Sequence, residues 1–250
     1  MIDTLIRYWQ SFSPEYRFYV IVIALFIPLT IIGVIAQFKV NSTFSKCAVP
    51  AVCGLTAAEV ARRVLDRNGL YKVQIKRIAG HLTDNFNPTT NVLSLSQSVY
   101  GSTSVSAIGV ACHEAGHAIQ HAQKYFFSSL RIKLVPVVNL ANRALFPLLL
   151  IGMLLGFASP YTTVGTVFIW MGVVVFGLSM LFSLVTLPTE FDASRRAQKE
   201  LRSDFLTSEE AVMSRKVLTA AAMTYVVSFL MSLIQFLRFF ALLLMSRDRD

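Results

Sequence analysis

Four long apolar segments constrain this chain more than any other feature of its sequence. The first, FYVIVIALFIPLTIIGVIA at 18–36, carries no charge and is long enough to cross the hydrocarbon core of a bilayer as a helix. It is longer than the apolar part of a usual signal peptide, and no small-residue cleavage pattern follows it. We therefore expect a retained anchor, kinked at Pro28. Further spans are predicted near 137–158, 161–187 and 220–245. The sequence predicts a mainly α-helical membrane protein with about four transmembrane helices.

Composition agrees with a chain embedded in a lipid bilayer. Hydrophobic residues make up 54% of the 250 residues and charged residues only 15%. The net charge of +9 could suggest nucleic acid, but no basic stripe interleaved with aromatic residues is present. We predict no nucleic-acid partner and assign the Lys and Arg residues to the cytoplasmic flanks of the spans. Three cysteines without a framework spacing indicate a reducing compartment.

Polar residues interrupt two of the predicted spans. Asn139, Asn142 and Arg143 lie at the start of the second span, and we expect them at the membrane interface or facing the protein interior. Arg238 in the fourth span should snorkel or pair rather than face lipid.

The order of the segments predicts five regions: 1–38 with the first span, a soluble module at 39–133, two spans at 134–187, a helix at 188–219, and the last span and tail at 220–250.

The soluble module shows alternating helix and strand patterns. TAAE at 56–59 is a capping box, and the helix that it opens buries apolar residues and stops near Gly69. YKVQIK at 71–76 and VLSLSQSV at 92–99 alternate apolar and polar residues, which is typical of strands. DNFNPTTN at 84–91 is rich in turn-forming residues. These patterns predict a small α+β unit that ends in a helix containing HEAGH.

The HEAGH segment has the spacing of a zinc-binding helix. His113 and His117 are four residues apart, so both imidazoles lie on one helical face, one turn apart. This spacing suits two nitrogen ligands of one tetrahedral zinc ion. Glu114 lies beside the metal position and can act as general base. Gly109 and Gly116 predict that neighbouring elements pack closely against this helix.

A third ligand separates a zinc site from histidines that merely satisfy core hydrogen bonds. His121 would lie about 12 Å along the helix from His113, too far to share an ion. Glu190 is the better candidate, because it occupies the otherwise apolar face of the segment EFDASRRAQKEL. A buried carboxylate there is costly unless it binds something. Asp192 lies on the basic face, where an ion pair with Arg195 or Arg196 is the favoured role.

Membrane topology places the predicted ligands on one side. Two predicted spans lie between His117 and Glu190, so the chain returns to the side from which it left. Basic residues precede the second span and follow the third, whereas the loop SPYTT between those two spans has no charge. Positive-inside counting therefore predicts a cytoplasmic site.

Three blocks of sequence resemble the YugP-type neutral zinc metallopeptidases of bacterial membranes. The blocks are DNFNPTTNVLSLSQSVYG, SAIGVACHEAGHAIQHAQ and LPTEFDASRRA, in the family's order. The resemblance implies a membrane-embedded gluzincin, similar in plan to HtpX-type proteases, with a zincin-like cytoplasmic module in the bacterial inner membrane. It implies Zn2+ bound by His113, His117 and Glu190, with Glu114 as base. The strand at 92–99 would be the sheet edge that pairs with an extended substrate.

One position departs from the HtpX-type pattern. Those enzymes carry an aspartate four residues after the ligand glutamate, whereas this chain has Ser194. A serine hydrogen-bonds a histidine more weakly than a carboxylate does.

The sequence thus predicts a membrane zinc endopeptidase that cleaves a peptide or membrane-protein substrate. Tyr100, His121 and Arg143 are guesses for the oxyanion donor. The alternative is a non-enzymatic assembly or chaperone factor with a structural zinc, which His121 or Cys112 would complete as fourth ligand. A transporter is a weaker possibility, because the spans lack paired acidic residues.

Overall fold

The computed structural model describes residues 2–154 and 163–247, and most of them are helical. The helices are α1 Ile2–Gln10, α2 Pro14–Lys46, α3 Ala57–Arg67, α4 Val105–Ala122, α5 Phe126–Leu154, α6 Thr163–Asp204 and α7 Ser208–Arg247. The strands are β1 Gln74–Ile78, β2 Asn85–Asn87 and β3 Val92–Ser96. The chain divides into two compact units. The first contains Met1–Gly33, Lys133–Leu184 and Val227–Asp250, and the second contains Val34–Ile132 and Val185–Val226.

Within the described residues, three helices are long and apolar enough to cross a membrane. They are Pro14–Lys46, Gly165–Asp204 and Ser208–Met245. The first and fourth spans expected from the sequence lie within these helices, and Gly165–Asp204 covers the third expected span, 161–187, from residue 165 onwards. The second expected span, 137–158, begins within α5, but residues 155–158 lie outside the described residues, so that span stays a prediction.

In the first unit, α6 and α7 approach each other closely. A Cβ atom added at Gly172 would lie 2.2 Å from the Phe239 ring, so this contact requires glycine. Phe176 stacks on the same ring with centroids 5.0 Å apart. Arg238 was expected to snorkel or pair, and its guanidinium carbon lies 5.0 Å from the Phe239 centroid. That distance permits a cation–π interaction, which compensates part of the cost of an arginine in an apolar helix.

The second unit has a core formed by α3, α4 and the sheet, to which α2, α6 and α7 also contribute buried apolar residues. The predicted capping box is confirmed: Thr56 accepts from the backbone N–H of Glu59, and the Glu59 carboxylate accepts from the N–H of Thr56. Val64 and Leu65 of α3 are fully buried, as is Ile108 of α4. Burial of such side chains contributes roughly 1.5–3 kcal/mol each.

The predicted β1 strand is displaced along the sequence. It was expected at 71–76 but occupies Gln74–Ile78, because the preceding residues form a turn. The Arg62 guanidinium donates to the carbonyls of Leu70 and Val73, at 2.8 and 2.6 Å, and so holds this turn against α3. The alternating pattern identified the strand correctly, but this long-range contact decides where it begins.

The prediction that the strand at 92–99 forms a sheet edge is wrong. The strand order is β1-β3-β2, so β3 is central. It pairs in parallel with β1 and antiparallel with β2. The second neighbour comes from NFN at 85–87, inside the segment expected to be only a turn. A segment of three residues with an asparagine at each end is too short and too polar to be recognised as a strand from its sequence. β2 forms because β3 supplies hydrogen-bond partners for its backbone.

Candidate metal centre

Helix α4 presents its two paired histidines towards α6. Ser104 caps the helix, and its hydroxyl accepts from the N–H of Ala107 at 3.3 Å. The imidazole centroids of His113 and His117 are 4.7 Å apart, one turn along the same face. Both side chains are largely buried, at 14% and 13% exposure.

Gly116 allows α6 to reach these histidines. A Cβ atom at this position would lie 2.7 Å from the carbonyl oxygen of Ala193, which is backbone and cannot rotate away. A Cβ atom at Gly109, two turns earlier on the same face of α4, would lie 2.6 Å from the Ser214 hydroxyl oxygen of α7. The expectation of close packing around α4 is therefore confirmed. Because of the contact at Gly116, Glu190 lies beside the imidazoles, three residues before Ala193 on α6.

The structure brings His113, His117 and Glu190 together. Oε2 of Glu190 lies 3.2 Å from Nε2 of His113 and 3.5 Å from Nε2 of His117. One potential ligand atom from each residue lies within 4.8 Å of the others, and among the described residues no other such group of His, Cys, Asp and Glu was found. Two imidazole nitrogens and one carboxylate oxygen are a donor set suited to zinc, and three protein donors leave a tetrahedral position open.

The second oxygen of Glu190 has its own partner. The Arg131 guanidinium, from the first turns of α5, donates to Oε1 at 2.8 Å. The side chain of Glu190 is only 2% exposed, so this ion pair offsets part of the cost of burying the carboxylate. Arg131 thereby orients Oε2 towards the histidines. No sequence pattern indicated this residue, because it is 59 positions from its partner.

Both histidines are also held through Nδ1. The Ser194 hydroxyl lies 3.1 Å from Nδ1 of His113, at the position that differs from the HtpX-type pattern. Nδ1 of His117 lies 3.0 Å from Oε1 of Gln120. The Gln120 amide nitrogen donates to the carbonyl of Thr189 and to Asp192, at 2.8 and 2.9 Å. Its oxygen must therefore face His117, so Nδ1 carries the proton and Nε2 keeps its lone pair for a metal.

Comparisons with known proteins bear on this site directly. A model of the family described as "Putative neutral zinc metallopeptidase" matches residues 22–244. The chain belongs to this family. It is also 46% identical over 217 residues, 86% of this chain and 93% of the relative, to "Putative membrane protease YugP" of Bacillus subtilis (strain 168). No solved structure shows a significant match. The resemblance read from the three sequence blocks is confirmed.

Membership of this family implies Zn2+ as the cofactor. The relative's description as a membrane protease agrees with the three apolar helices, so this is a membrane protein. The donor chemistry of the cluster fits the ion that the family requires. His113, His117 and Glu190 are accordingly the residues that we expect to hold it.

The residues suggested as a fourth ligand lie away from the cluster. His121 is exposed, and its ring contacts Phe86 with centroids 6.1 Å apart. Cys112 is fully buried in the apolar core of the second unit, where burial raises the pKa of its thiol. A thiol that resists ionisation in an apolar core is a poor metal ligand.

Glu114 shares a cavity with the cluster. The cavity has a volume of about 160 Å3, and its lining includes His113 and Glu190 of the cluster, together with Glu114 and Asp84. Burial raises the pKa of Glu114, while the nearby His117 and His113 act in the opposite direction. A carboxylate with a raised pKa is a stronger proton acceptor near neutral pH. Asp84 has a structural role, since it accepts from the N–H and hydroxyl of Ser96, at 2.7 and 3.0 Å.

Tyr225 of α7 also lines this cavity, and sequence reasoning missed it. Tyr100 and His121, which were suggested as oxyanion donors, do not line it, and Arg143 belongs to the other unit. Tyr225 lies in an apolar helix with no local motif around it. Its position follows only from the packing of α7 within the second unit.

We expect Gln120→Leu to weaken zinc binding about 10–100-fold, because His117 loses the acceptor that fixes its tautomer. Leucine keeps the buried volume approximately while removing the amide contacts to His117, Thr189 and Asp192. Zinc affinity of the purified protein, measured by competition with a chromogenic chelator, tests this. Gln123→Leu is the matched control, because Gln123 contacts Arg196 at the exposed end of the same helix. Equal affinities for all three proteins would show that Gln120 does not position the ligand.

Proposed function

We propose that this chain is a multi-pass membrane zinc endopeptidase whose site lies on the cytoplasmic side of the bacterial inner membrane. The observation that supports it best is the convergence of His113 and His117 with Glu190, 77 positions from His113, around a cavity that also contains Glu114. A structural zinc site is normally closed by four protein ligands. This cluster has three described donors and a cavity beside them, as a hydrolytic site requires.

The proposed roles follow from the geometry of the chain's own residues. His113, His117 and Glu190 would hold zinc, and Arg131 and Gln120 keep two of these ligands in orientation. Bound zinc supplies Lewis-acid chemistry: it makes water nucleophilic near neutral pH and polarises a carbonyl. Glu114 would take the proton from the attacking water and deliver it to the leaving amine. The largely apolar cavity wall limits competing solvent around these groups.

Zinc removal tests this function directly. We expect the purified protein to cleave an unfolded casein-like substrate, to lose activity when a chelator removes the metal, and to regain it when Zn2+ is returned. A parallel preparation treated with Mg2+ instead is the control, because a hard cation prefers oxygen ligands over imidazole. Cleavage by demonstrably zinc-free protein would contradict the proposal.

Tyr225 is the residue that we propose for stabilising the developing oxyanion, because its side chain lines the cavity beside Glu190. We expect Tyr225→Phe to lower kcat by about 100-fold with little change in KM or in bound zinc. Steady-state kinetics give kcat and KM, and metal analysis gives the bound zinc. Tyr100→Phe is the matched control, since Tyr100 packs against the core outside the cavity. Unchanged kcat in Tyr225→Phe would remove this residue from the mechanism.

A further inference from the structure

A groove lined by basic side chains runs between α6 and α7 in the second unit. Its volume is about 820 Å3. Arg195, Lys199 and Arg202 of α6 line one side, and Arg215 of α7 lines the other. The three α6 residues follow each other at spacings of four and three, so they share one helical face. All four side chains are exposed.

These four cations have no anionic partner in the part of the chain that the structure describes. Other arginines of the second unit form ion pairs: Arg196 with Asp192, Arg131 with Glu190, and Arg67 with Asp204. None of the described ion pairs involves the four groove residues. Like charges three and four residues apart slightly destabilise a helix. An anion in the groove would relieve that repulsion.

The groove adjoins the cavity at the metal cluster. Ser194, Leu218 and Ala222 line both. Ser194 is the residue whose hydroxyl lies 3.1 Å from Nδ1 of His113. From Ser194 to Arg202 the helix rises about 12 Å. An extended peptide covers that length with about four residues, at roughly 3.3 Å each.

We propose that this groove binds acidic side chains of the peptide substrate, within a few residues of the bond that is cut. The inference rests on the proposed peptidase function of the metal cluster. The groove volume lies within the range of ligand sites, and Phe191 and Leu218 add apolar contacts for the neighbouring peptide residues. Anionic lipid headgroups carry the same charge. Because the groove and the cavity share three lining residues, a peptide bound at the metal cluster would extend along the groove, and we therefore assign the groove to peptide rather than to lipid.

The test compares two fluorescent peptides with the same central sequence. They differ only in the three residues next to that sequence, which are Glu in one peptide and Gln in the other. Binding is measured by fluorescence polarisation to the full-length protein in detergent, carrying Glu114→Gln so that no peptide is cut. We expect the Glu peptide to bind about tenfold more tightly at low salt, with the ratio falling as salt rises. Replacing Arg195, Lys199 and Arg202 together by Gln should bring the ratio to about one.

A control removes the same charge elsewhere: Lys72, Lys76 and Arg77, exposed residues at and before β1, are replaced together by Gln. This control should keep the tenfold ratio. If both triple variants lose the preference for the Glu peptide equally, the attraction is non-specific and the proposal is overturned. The proposal is also overturned if the Arg195, Lys199 and Arg202 variant keeps that preference. Arg215→Gln, on the opposite wall, provides an independent variant and should lower the ratio by itself. Unchanged zinc content shows that each variant is folded.

Lipid binding and peptidase failure are separated by two further measurements. The first uses nanodiscs that contain phosphatidylglycerol. If these nanodiscs displace the Glu peptide from the parent protein, and bind the Arg195, Lys199 and Arg202 triple variant less well, the groove binds headgroups and the proposal is overturned. Cleavage of the Gln peptide by protein with native Glu114 reports on the peptidase function alone. Absence of that cleavage together with a preserved binding ratio would remove the proposed function but leave an acidic-peptide site.

Discussion

Glu114→Gln is expected to abolish peptide cleavage while zinc remains bound in full. Glutamine keeps the size of the side chain and its place in the cavity, but it cannot take up a proton at neutral pH. General acid–base catalysis contributes about 10²–10⁴-fold, and a loss of this size should appear in kcat. Cleavage of a casein-like substrate and metal analysis of the same preparation measure the two effects separately.

Glu209→Gln is the matched control for this variant, because Glu209 is an exposed carboxylate in the first turn of α7, outside the cavity. It should keep both activity and zinc. If Glu114→Gln still cleaves at the parent rate with its zinc in place, Glu114 is not the proton acceptor. If it loses zinc as well, Glu114 acts on the metal ligands and the mechanism needs another base.

Glu190→Ala should lose stoichiometric zinc, because it removes the only described carboxylate among the three clustered donors. We expect the affinity to fall by more than about 100-fold, since changes that only perturb ligand orientation already cost 10–100-fold. The variant also leaves Arg131 without its partner, although Arg131 is 31% exposed and solvent screens much of that cost. Equilibrium dialysis with metal analysis gives the affinity directly.

Two companion variants separate loss of the metal from loss of the ion pair. Glu190→Gln keeps the volume and an acceptor for Arg131 but removes the charge, and it should lose zinc almost as completely. Glu200→Ala, on the same helix, removes a carboxylate that contacts Asn68, and it should keep zinc. A Glu190→Ala protein that holds one equivalent of zinc with parental affinity would contradict the three-residue centre.

Removal of zinc should also lower the stability of the parent protein. A ligand at 100 times its Kd stabilises the folded state by about 2.7 kcal/mol, so chelation should lower the Tm of the parent. In Glu190→Ala, chelation should leave the Tm unchanged, because that variant has little metal to lose. Differential scanning fluorimetry in detergent with and without chelator measures both. Equal shifts in the two proteins would place the stabilising metal elsewhere.

Much of the candidate centre was predictable because helix geometry is local. Two histidines four residues apart lie on one face of any α-helix, so His113 and His117 could be paired from their spacing. The apolar face of the segment after the third span singled out Glu190, and its neighbours Ala193 and Ala197 are buried as expected. The favoured ion pair of Asp192 exists with Arg196, and Asp192 also accepts from Gln120.

The errors have a common physical origin in non-local contacts. The strand at 92–99 was expected at an edge, yet β2 and β1 occupy both of its sides. β2 has only three residues, too few for alternation to predict a strand. The division of the chain between the third span and the segment with Glu190 stays a prediction: α6 runs without a break from Thr163 to Asp204, and the two compact units meet within it, at Leu184 and Val185. Backbone pairing and helix packing override weak local signals in such segments.

By itself the sequence determined the apolar helices, the capping box of α3 and the paired imidazoles of α4, because each depends on periodicity within a few turns. Only the tertiary structure decided that Arg131, Gln120 and Tyr225 belong around Glu190. Their contacts join α4, α5, α6 and α7, and such contacts depend on how whole helices pack rather than on any repeat within one of them.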